Sequence, residues 1–331
     1  MAALAAVQDP GFEALLAGDL DIAQLHALAD RIAAGHAASP KGDGAVFRKT
    51  LALSASTDAQ RTELAFHTDS IARRIAAGRI RAVMGEPVDV LHDLAHTLIE
   101  VMHAGLAGEA NTIANRYLDV APQGATGWSL LPLYLSLRAN GEPELADSLL
   151  APAKPRLVVI GGLSGTGKST LARLLGSRIG RLPGARALHS DVFRKRLAGV
   201  SPETRLPPRH YTRRNDDETY EALFESADDH LACGNSVILD AVFMARSERD
   251  VVEALAERHR AGFTGIWLEA PEKDRIARVN ARENDASDAT EKVVREQSKR
   301  SVGEIHWHRV RANRPQELIV AAARAALDRA R

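Results

Sequence analysis

The feature that most constrains this chain is the glycine-rich stretch 162–169, which reads Gly-Leu-Ser-Gly-Thr-Gly-Lys-Ser. The apolar run 157–160 precedes it and leucines at helical spacing follow it, so we expect a turn between a buried strand and a helix. In that setting glycines let backbone N–H groups converge on a phosphate at the positive end of a helix dipole. The pattern therefore predicts a nucleoside triphosphate site.

The ending of this pattern assigns individual roles. Lys168 is expected to reach the β- and γ-phosphates and to act in catalysis, and the hydroxyl of Ser169 is expected to bind Mg²⁺. The expected cofactors are ATP and Mg²⁺. The predicted cofactor-binding residues are Gly162, Leu163, Ser164, Gly165, Thr166, Gly167, Lys168, Ser169 and Thr170.

Length and composition set the class of protein. The 331 residues favour two domains, and 26% charged residues are typical of a globular chain. The single cysteine excludes an internal disulfide, and neither a signal peptide pattern nor a membrane-spanning apolar run is present, so we expect a cytoplasmic protein without a membrane partner. A net charge of zero and few aromatic residues make nucleic acid an unlikely partner.

The residue pattern predicts a boundary near residue 150. Residues 1–150 show helical periodicity without strand alternation and are expected to form a mostly α-helical domain. The proline-flanked stretch 151–155 reads as a linker. Residues 155–331 alternate strand and helix, which predicts an α/β domain with a five-stranded parallel sheet. The predicted strands are 157–160, 187–190, 236–240, 264–269 and 307–313.

Two aspartates follow predicted strands. Asp191 comes after the second strand, where a carboxylate can orient an acceptor hydroxyl and take its proton, and Arg194 could hold an anionic group of the acceptor. A helix-capping aspartate beside a solvated arginine is the alternative. Asp240 ends the third strand and could approach Mg²⁺ or orient the acceptor, although an apolar run before an aspartate also arises by chance.

Arginines repeat at helical spacing after the fourth strand. Arg278 and Arg282, preceded by Arg275, could close over the transferring phosphoryl group and offset its developing charge, with Arg282 the first candidate. A solvated helix face is the alternative.

The second half resembles the P-loop kinases that include polynucleotide-kinase-like, gluconate-kinase-like and zeta-toxin-like ATP-binding domains. The matching stretches are the glycine-rich loop, 189–196, 234–241, 278–282 and 285–288. The resemblance implies that Asp191 acts as a base and that Arg282 is the lid arginine.

The first half resembles the helical C-terminal lobe of aminoglycoside-phosphotransferase-like proteins, through stretches 18–21, 28–36, 88–95 and 115–118. The His-Gly-Asp-x-x-x-x-Asn loop of that family is not matched, because His67-Thr-Asp69 lacks the glycine and Arg74 replaces the asparagine. We therefore expect a remnant without phosphotransferase activity. Proteins that pair the two halves are known as bifunctional predicted kinases.

Together these features predict a Mg-ATP-dependent kinase that phosphorylates a hydroxyl of a small molecule such as a sugar, a sugar acid or an antibiotic. The alternatives are a polynucleotide 5′-hydroxyl kinase and a non-catalytic ATP-binding switch that signals through the helical half.

Overall fold

The computed structural model describes residues 10–18, 20–139, 141–281 and 286–329. The chain divides into two compact units. The first unit comprises Met1–Ala153 with Arg181–Gly184, and the second comprises Lys154–Gly180 with Ala185–Arg331. No helix in the described part of the chain has both the length and the apolar character needed to cross a bilayer.

The first unit is mostly α-helical, as predicted. Its elements are α1 (Pro10–Leu16), α2 (Ile22–Ala38), α3 (Gly44–Ser54), α4 (Asp58–Phe66), α5 (Thr68–Ala76), β1 (Ile80–Val83), β2 (Glu86–Asp89), α6 (Val90–His103), α7 (Ala107–Val120), α8 (Gly124–Arg138) and α9 (Pro143–Leu149).

Helix α8 lies in the core of this unit. Every residue from Leu130 to Leu137 is buried, and the helix packs against α4, α6 and α9. A helix that is apolar on all sides is expected only where neighbours cover it completely. This arrangement makes α8 the centre of the helical core.

Two features of the first unit differ from the sequence prediction. Strands β1 and β2 form an antiparallel hairpin, although no strand was expected, because four-residue strands are too short to show alternation. The turn has positive φ at Met84 and Gly85, as tight hairpins require. The helical periodicity of the first half shows no break within residues 88–117, but in the structure Gly105, whose φ is 80°, ends α6.

The stretch compared above with a phosphotransferase catalytic loop is helical. Asp69 lies in the first turn of α5, and Arg74 near its end is buried. The Arg74 guanidinium donates to both carboxylate oxygens of Asp89 at 2.6 and 2.7 Å, and to Gln123 at 3.0 Å. Asp89 in turn accepts the backbone N–H of Leu91 and begins α6. Arg74 therefore stabilises the helical core.

The second unit is an α/β fold, and its five-stranded parallel sheet confirms the predicted class. The strand order is β4-β5-β3-β6-β7, with every pair parallel. Its elements are β3 (Arg156–Gly161), α10 (Lys168–Gly176), β4 (Arg186–His189), α11 (Ser190–Leu197), α12 (Arg213–Ala232), β5 (Val237–Asp240), α13 (Arg246–Arg258), β6 (Gly262–Glu269), α14 (Glu272–Asn280), α15 (Glu291–Ser298), β7 (His308–Arg311) and α16 (Gln316–Arg329).

The register of the sheet aligns the carboxyl ends of its three neighbouring strands. Ile160 of β3 pairs with Asp240 of β5, which pairs with His189 of β4. Each of these three strands ends at this row of paired residues or within a residue or two of it. Because ligands of open parallel sheets bind beyond this edge, the row marks where a site is expected.

Each face of the sheet carries its own core, and two tryptophans fill one of them. Leu157 and Val159 face one core and Val158 and Ile160 the other. The rings of Trp267 and Trp307 press against the backbone: a Cβ on Gly161 would lie 2.8 Å from Trp267 and 3.0 Å from Trp307. Trp307, expected in the fifth strand, precedes β7.

Candidate active site

The glycine-rich loop connects β3 to α10, which begins at Lys168. Gly162, Gly165 and Gly167 have φ values of 141°, 86° and 91°, a region that residues with a side chain rarely adopt. A Cβ on Gly165 would lie 2.6 Å from the carbonyl oxygen of Arg275, so a larger residue would also collide with α14. The loop therefore has the backbone conformation and the space that a phosphate cradle needs.

Ser169 and Asp240 meet at the carboxyl end of the sheet. The Ser169 hydroxyl donates to Asp240 Oδ2 at 2.5 Å, and His189 Nδ1 lies 2.7 Å from the same oxygen. Burial alone would raise the pKa of the Asp240 carboxyl, but the hydrogen bond and charge of His189, with Lys168 and Ser169, lower it. Asp240 is therefore ionised.

This pair of oxygen atoms suits Mg²⁺, which prefers hard oxygen ligands and keeps several waters or phosphate oxygens. In the part of the chain that the structure describes, no group of three or more His, Cys, Asp or Glu side chains could hold a metal by itself. A cation here would thus share its coordination with the nucleotide phosphates.

Asp191 lies in the first turn of α11, and His189 occupies the capping position, so Asp191 is not the N-cap residue. Burial and the nearby Asp240 carboxylate raise the pKa of the Asp191 carboxyl, against the lowering effects of a hydrogen bond with Ser287 and of the charge on Lys168. The carboxylate is partly exposed and within electrostatic reach of Lys168. A partly desolvated carboxylate beside a phosphate loop has the character of a general base.

Arg194 is engaged by neighbouring protein groups. Its guanidinium pairs with Asp216 at 2.7 Å, donates to the carbonyl of His210 at 3.1 Å and lies 5.0 Å from the centre of the Tyr211 ring. These contacts hold the segment before α12 against α11. The structure thus gives Arg194 a role in shaping the surroundings of Asp191.

The predicted lid arginines fall in different places. Arg278 donates to the carbonyl of Ala312 at 2.6 Å and reaches those of Gly165 and Thr166 at 3.4 Å, beside the loop. Arg275 is buried, which excludes a solvated face for it. Arg282 lies outside the described residues.

A cavity of about 250 Å³ opens beside the loop, on the side of Arg278. It lies between the start of α10, the end of β6 and the β7–α16 connection. Its lining is Thr166, Gly167, Thr170, Leu171, Leu174, Leu268, Arg278, Ala312, Arg314, Gln316, Ile319 and Val320.

Several residues of the site were not predicted from the sequence. His189 holds Asp240, Ser287 bonds Asp191, and Gln297 Oε1 accepts the backbone N–H of Ser164 at 2.8 Å. The position of His189 near the end of the second strand, beside Asp191, was a usable signal. Gln297 lies 133 positions from its partner, and no local pattern pointed to it.

Comparison with known proteins gives matches to part of the chain. Uncharacterized proteins of Mycobacterium bovis and Mycobacterium tuberculosis are 30% identical over 231 residues, which cover 62% of this chain. The match spans 45% of the length of those relatives.

Solved structures similar to part of this chain include a gluconokinase from Sinorhizobium meliloti, with 21% identity, a TM-score of 0.38 and coverage of 53% of this chain and 93% of that one. A sugar kinase from Janibacter sp. gives 22% identity, a TM-score of 0.39 and coverage of 53% and 95%. The APS kinase CysC of Mycobacterium tuberculosis is 21% identical, with a TM-score of 0.35 and coverage of 54% of this chain and 98% of that one. At these scores the likenesses leave the substrate open.

A family model described as an AAA domain matches residues 157–302. This range begins in β3 and includes the glycine-rich loop, Asp191, Asp240 and Gln297. The family match therefore covers the part of the chain that contains the candidate site.

Proposed function

We propose that the second unit is a Mg-ATP-dependent phosphotransferase that acts on a hydroxyl of a small molecule. The observation that carries this proposal is the pairing of Asp191 with the phosphate loop. The two lie beyond the same edge of the sheet, with Asp240 on the strand between them. A protein that only binds and releases nucleotide has no need of a partly desolvated carboxylate at that position.

In this proposal the residues divide the work by position. Lys168 and the loop amides hold the β- and γ-phosphates, while Ser169 and Asp240 would hold the cation. The Mg²⁺ ion would offset negative charge on the phosphate oxygens. His189 keeps the Asp240 carboxylate ionised and oriented.

Asp191 would accept a hydrogen bond from the acceptor hydroxyl and take its proton as the oxygen attacks the γ-phosphorus. The bond between that phosphorus and the β,γ-bridging oxygen breaks, and ADP leaves. Arg282 stays our first candidate for stabilising the moving phosphoryl group, and Arg278 beside the loop is the second.

We assign the cavity beside the loop to the nucleoside. Leu171, Leu174, Ile319 and Val320 give it apolar walls for a base, and it adjoins Thr166 and Gly167 of the phosphate loop. The acceptor would then bind on the other side of the loop, near Asp191. In this proposal the acceptor is a small molecule such as a sugar, a sugar acid or an antibiotic, and nucleic acid is the less favoured substrate.

The test measures ADP release across a panel of sugars, sugar acids, aminoglycosides and 5′-hydroxyl oligonucleotides. We expect at least one small molecule to stimulate turnover, and Asp191→Asn to reduce that stimulated rate by about 10²–10⁴-fold with ATP affinity retained, because the variant lacks the base. Asp217→Asn, an exposed aspartate of α12, is the matched control and should behave like the wild type.

Other outcomes point elsewhere. Stimulation by oligonucleotides alone would favour a polynucleotide kinase. Slow turnover that ignores both acceptor and the Asp191 substitution would favour an ATP-binding switch and contradict the proposal.

A further inference from the structure

The segment 286–298 contacts both sides of the candidate active site. It enters beside Asp191 and ends in α15 beside the phosphate loop. Within it, Val294 is fully buried, which fixes α15 against the second unit. We refer to residues 286–298 as the brace segment.

On the nucleotide side, the brace segment bonds the loop directly. Gln297 Oε1 accepts the backbone N–H of Ser164 at 2.8 Å. The neighbouring Ser298 hydroxyl accepts from Arg275 Nη2 at 2.6 Å, and the backbone of Arg275 packs against Gly165. Two adjacent residues of α15 thus hold the phosphate loop, one directly and one through α14.

On the acceptor side, the brace segment bonds both α11 and the connection that precedes α12. Ser287 shares a hydrogen bond with Asp191. The Asp288 carboxylate accepts from the buried Lys195 ammonium, from the Tyr211 hydroxyl and, at 3.0 Å, from the backbone N–H of Leu206. A single carboxylate therefore joins α11 to the chain that precedes α12.

These contacts anchor the brace segment at both ends, and its own backbone, including α15, connects the residues around Asp191 to the phosphate loop. Lys195 is almost completely buried and also donates to the carbonyl of Thr204 at 2.5 Å, so its position is fixed by more than one partner. Buried charge-assisted hydrogen bonds are costly to break, which makes both ends of the brace segment rigid.

We propose that the brace segment sets the position of the phosphate loop relative to Asp191, with Gln297 as its positioning residue on the nucleotide side and Asp288 on the acceptor side. This inference rests on the proposed function, because it assigns the acceptor to the Asp191 side. It predicts that changes at Asp288 alter nucleotide affinity, although the residues that the structure shows bonded to Asp288 all lie on the acceptor side.

Nucleotide affinity depends on how often the phosphate loop occupies the conformation that binds phosphate. Without the Gln297 oxygen, the Ser164 N–H has lost its partner and the loop is free to occupy arrangements that do not bind phosphate. The apparent affinity is then the intrinsic affinity multiplied by the fraction of molecules whose loop is in the binding-competent arrangement. A net hydrogen bond of ordinary strength corresponds to a change of about 3- to 10-fold.

The first experiment measures the dissociation constant of Mg²⁺ and a fluorescent N-methylanthraniloyl ATP for the full chain, without acceptor. Gln297→Met keeps the length of the side chain and removes the oxygen, and we expect about 3- to 10-fold weaker binding with a thermal midpoint lowered by only about 2–4 °C. Gln297→Glu restores an acceptor atom, and in about 0.5 M salt, which screens the added negative charge, the affinity for the fluorescent ATP should return toward that of the wild type measured in the same salt. Glu296→Met, at an exposed neighbouring position, is the control and should bind like wild type.

The second experiment tests whether the two ends act together. Asp288→Asn removes the negative charge of the carboxylate. Tyr211→Phe is milder, because it removes one hydrogen-bond donor to Asp288 and leaves Lys195 paired. Tyr211→Phe can therefore be measured even if Asp288→Asn does not fold. We expect each variant to weaken binding of the fluorescent ATP by about 2- to 5-fold. When either is combined with Gln297→Met, the loss of affinity in the double variant should be smaller than the product of the two separate losses.

Unchanged affinity in Gln297→Met would overturn the role of Gln297. Unchanged affinity in Tyr211→Phe would overturn the coupling between the two ends of the brace segment. A double variant whose loss of affinity equals the product of the two separate losses would overturn it as well. Because binding is measured without acceptor, a chain that binds nucleotide normally and phosphorylates nothing would refute the proposed function alone. A wild-type chain without nucleotide affinity would refute both.

Discussion

Asp191 and Asp240 are neighbouring carboxylates whose pKa values shift in opposite directions. Burial raises the pKa of both, but Asp240 is compensated by the hydrogen bonds of His189 and Ser169 and by the charge of Lys168. For Asp191, the hydrogen bond with Ser287 and the charges of Lys168 and Arg194 do not offset burial and the neighbouring Asp240 carboxylate. The result is one carboxylate kept charged and one that holds a proton more readily. Such a separation is what a site needs to bind a cation with one group and move a proton with the other.

The phosphate loop provides a test at the residue scale. Gly165→Ala places a methyl group at a φ of 86° and against the Arg275 carbonyl, so the loop must distort. We expect nucleotide affinity, measured with the fluorescent ATP analogue, to fall by about tenfold or more, from the strain of a left-handed residue plus the collision. Gly108→Ala is the control, because that glycine has open space around its Cβ position and lies in α7. Equal affinity in both variants would contradict the assignment of the loop.

The site residues differ in how far the sequence could predict them. Lys168, Ser169 and Asp240 follow strands in patterns whose chemistry is local, so their candidacy needed no structure. The bond from Gln297 to Ser164 and the bond from Ser287 to Asp191 depend on how distant segments pack. Periodicity carries no information about such pairs, and Arg194 illustrates the same limit, because its partners Asp216 and His210 came from a different segment.

At the scale of elements, the second unit was easier to predict than the first. Strands β3 and β5 are short apolar runs that end in glycine and aspartate, a pattern typical of buried parallel strands. The β1–β2 hairpin contains charged residues and Pro87, and four residues per strand give too few positions for alternation. The break at Gly105 was hidden because apolar residues continue at helical spacing on both sides.

Helix α12 provides a test at the same scale, through the buried His230. Burial, reinforced by the charge of Arg186, lowers the pKa of His230 to about 3. The unfolded chain therefore binds this proton below pH 6.5 and the folded chain only below about 3, so stability from this residue is present above pH 6.5 and lost as pH falls toward 3. Each pH unit in that window corresponds to about 1.4 kcal/mol for one group.

His230→Gln should flatten this dependence when the thermal midpoint is followed from pH 7 to pH 4, because glutamine takes up no proton. His306→Gln, at an exposed position, is the control and should leave the slope unchanged. A slope in His230→Gln equal to that of wild type would show that His230 is not the group responsible.

At the scale of the whole molecule, the proposed division of labour assigns nucleotide binding to the second unit only. The first unit has 18 acidic and 11 basic residues in 1–153, a charge that disfavours a triphosphate, and its Arg74 is committed to Asp89. The proposal is that residues 1–150 are a helical domain without phosphotransferase activity and that residues 155–331 form the kinase domain.

Hydrogen exchange on the full chain tests this assignment. With ATP and Mg²⁺ about a hundredfold above the dissociation constant, amides that open only with the nucleotide-free form should exchange about a hundredfold more slowly. We expect that protection at β3, the loop and α10, and no change in the amides of α8. Protection of α8 equal to that of the loop, or ATP affinity in residues 1–150 expressed alone, would contradict the remnant hypothesis.

Two of the three tryptophans of the chain touch Gly161, the residue before the phosphate loop, while Trp128 belongs to the first unit. The indoles of Trp267 and Trp307 therefore lie where any movement of the loop changes their surroundings, and their emission should report nucleotide binding without a label. In a Trp128→Phe variant, titration with Mg-ATP should change the remaining fluorescence with the same midpoint as the direct binding measurement. The packing that closes the sheet against the loop thus also provides a built-in optical signal for it.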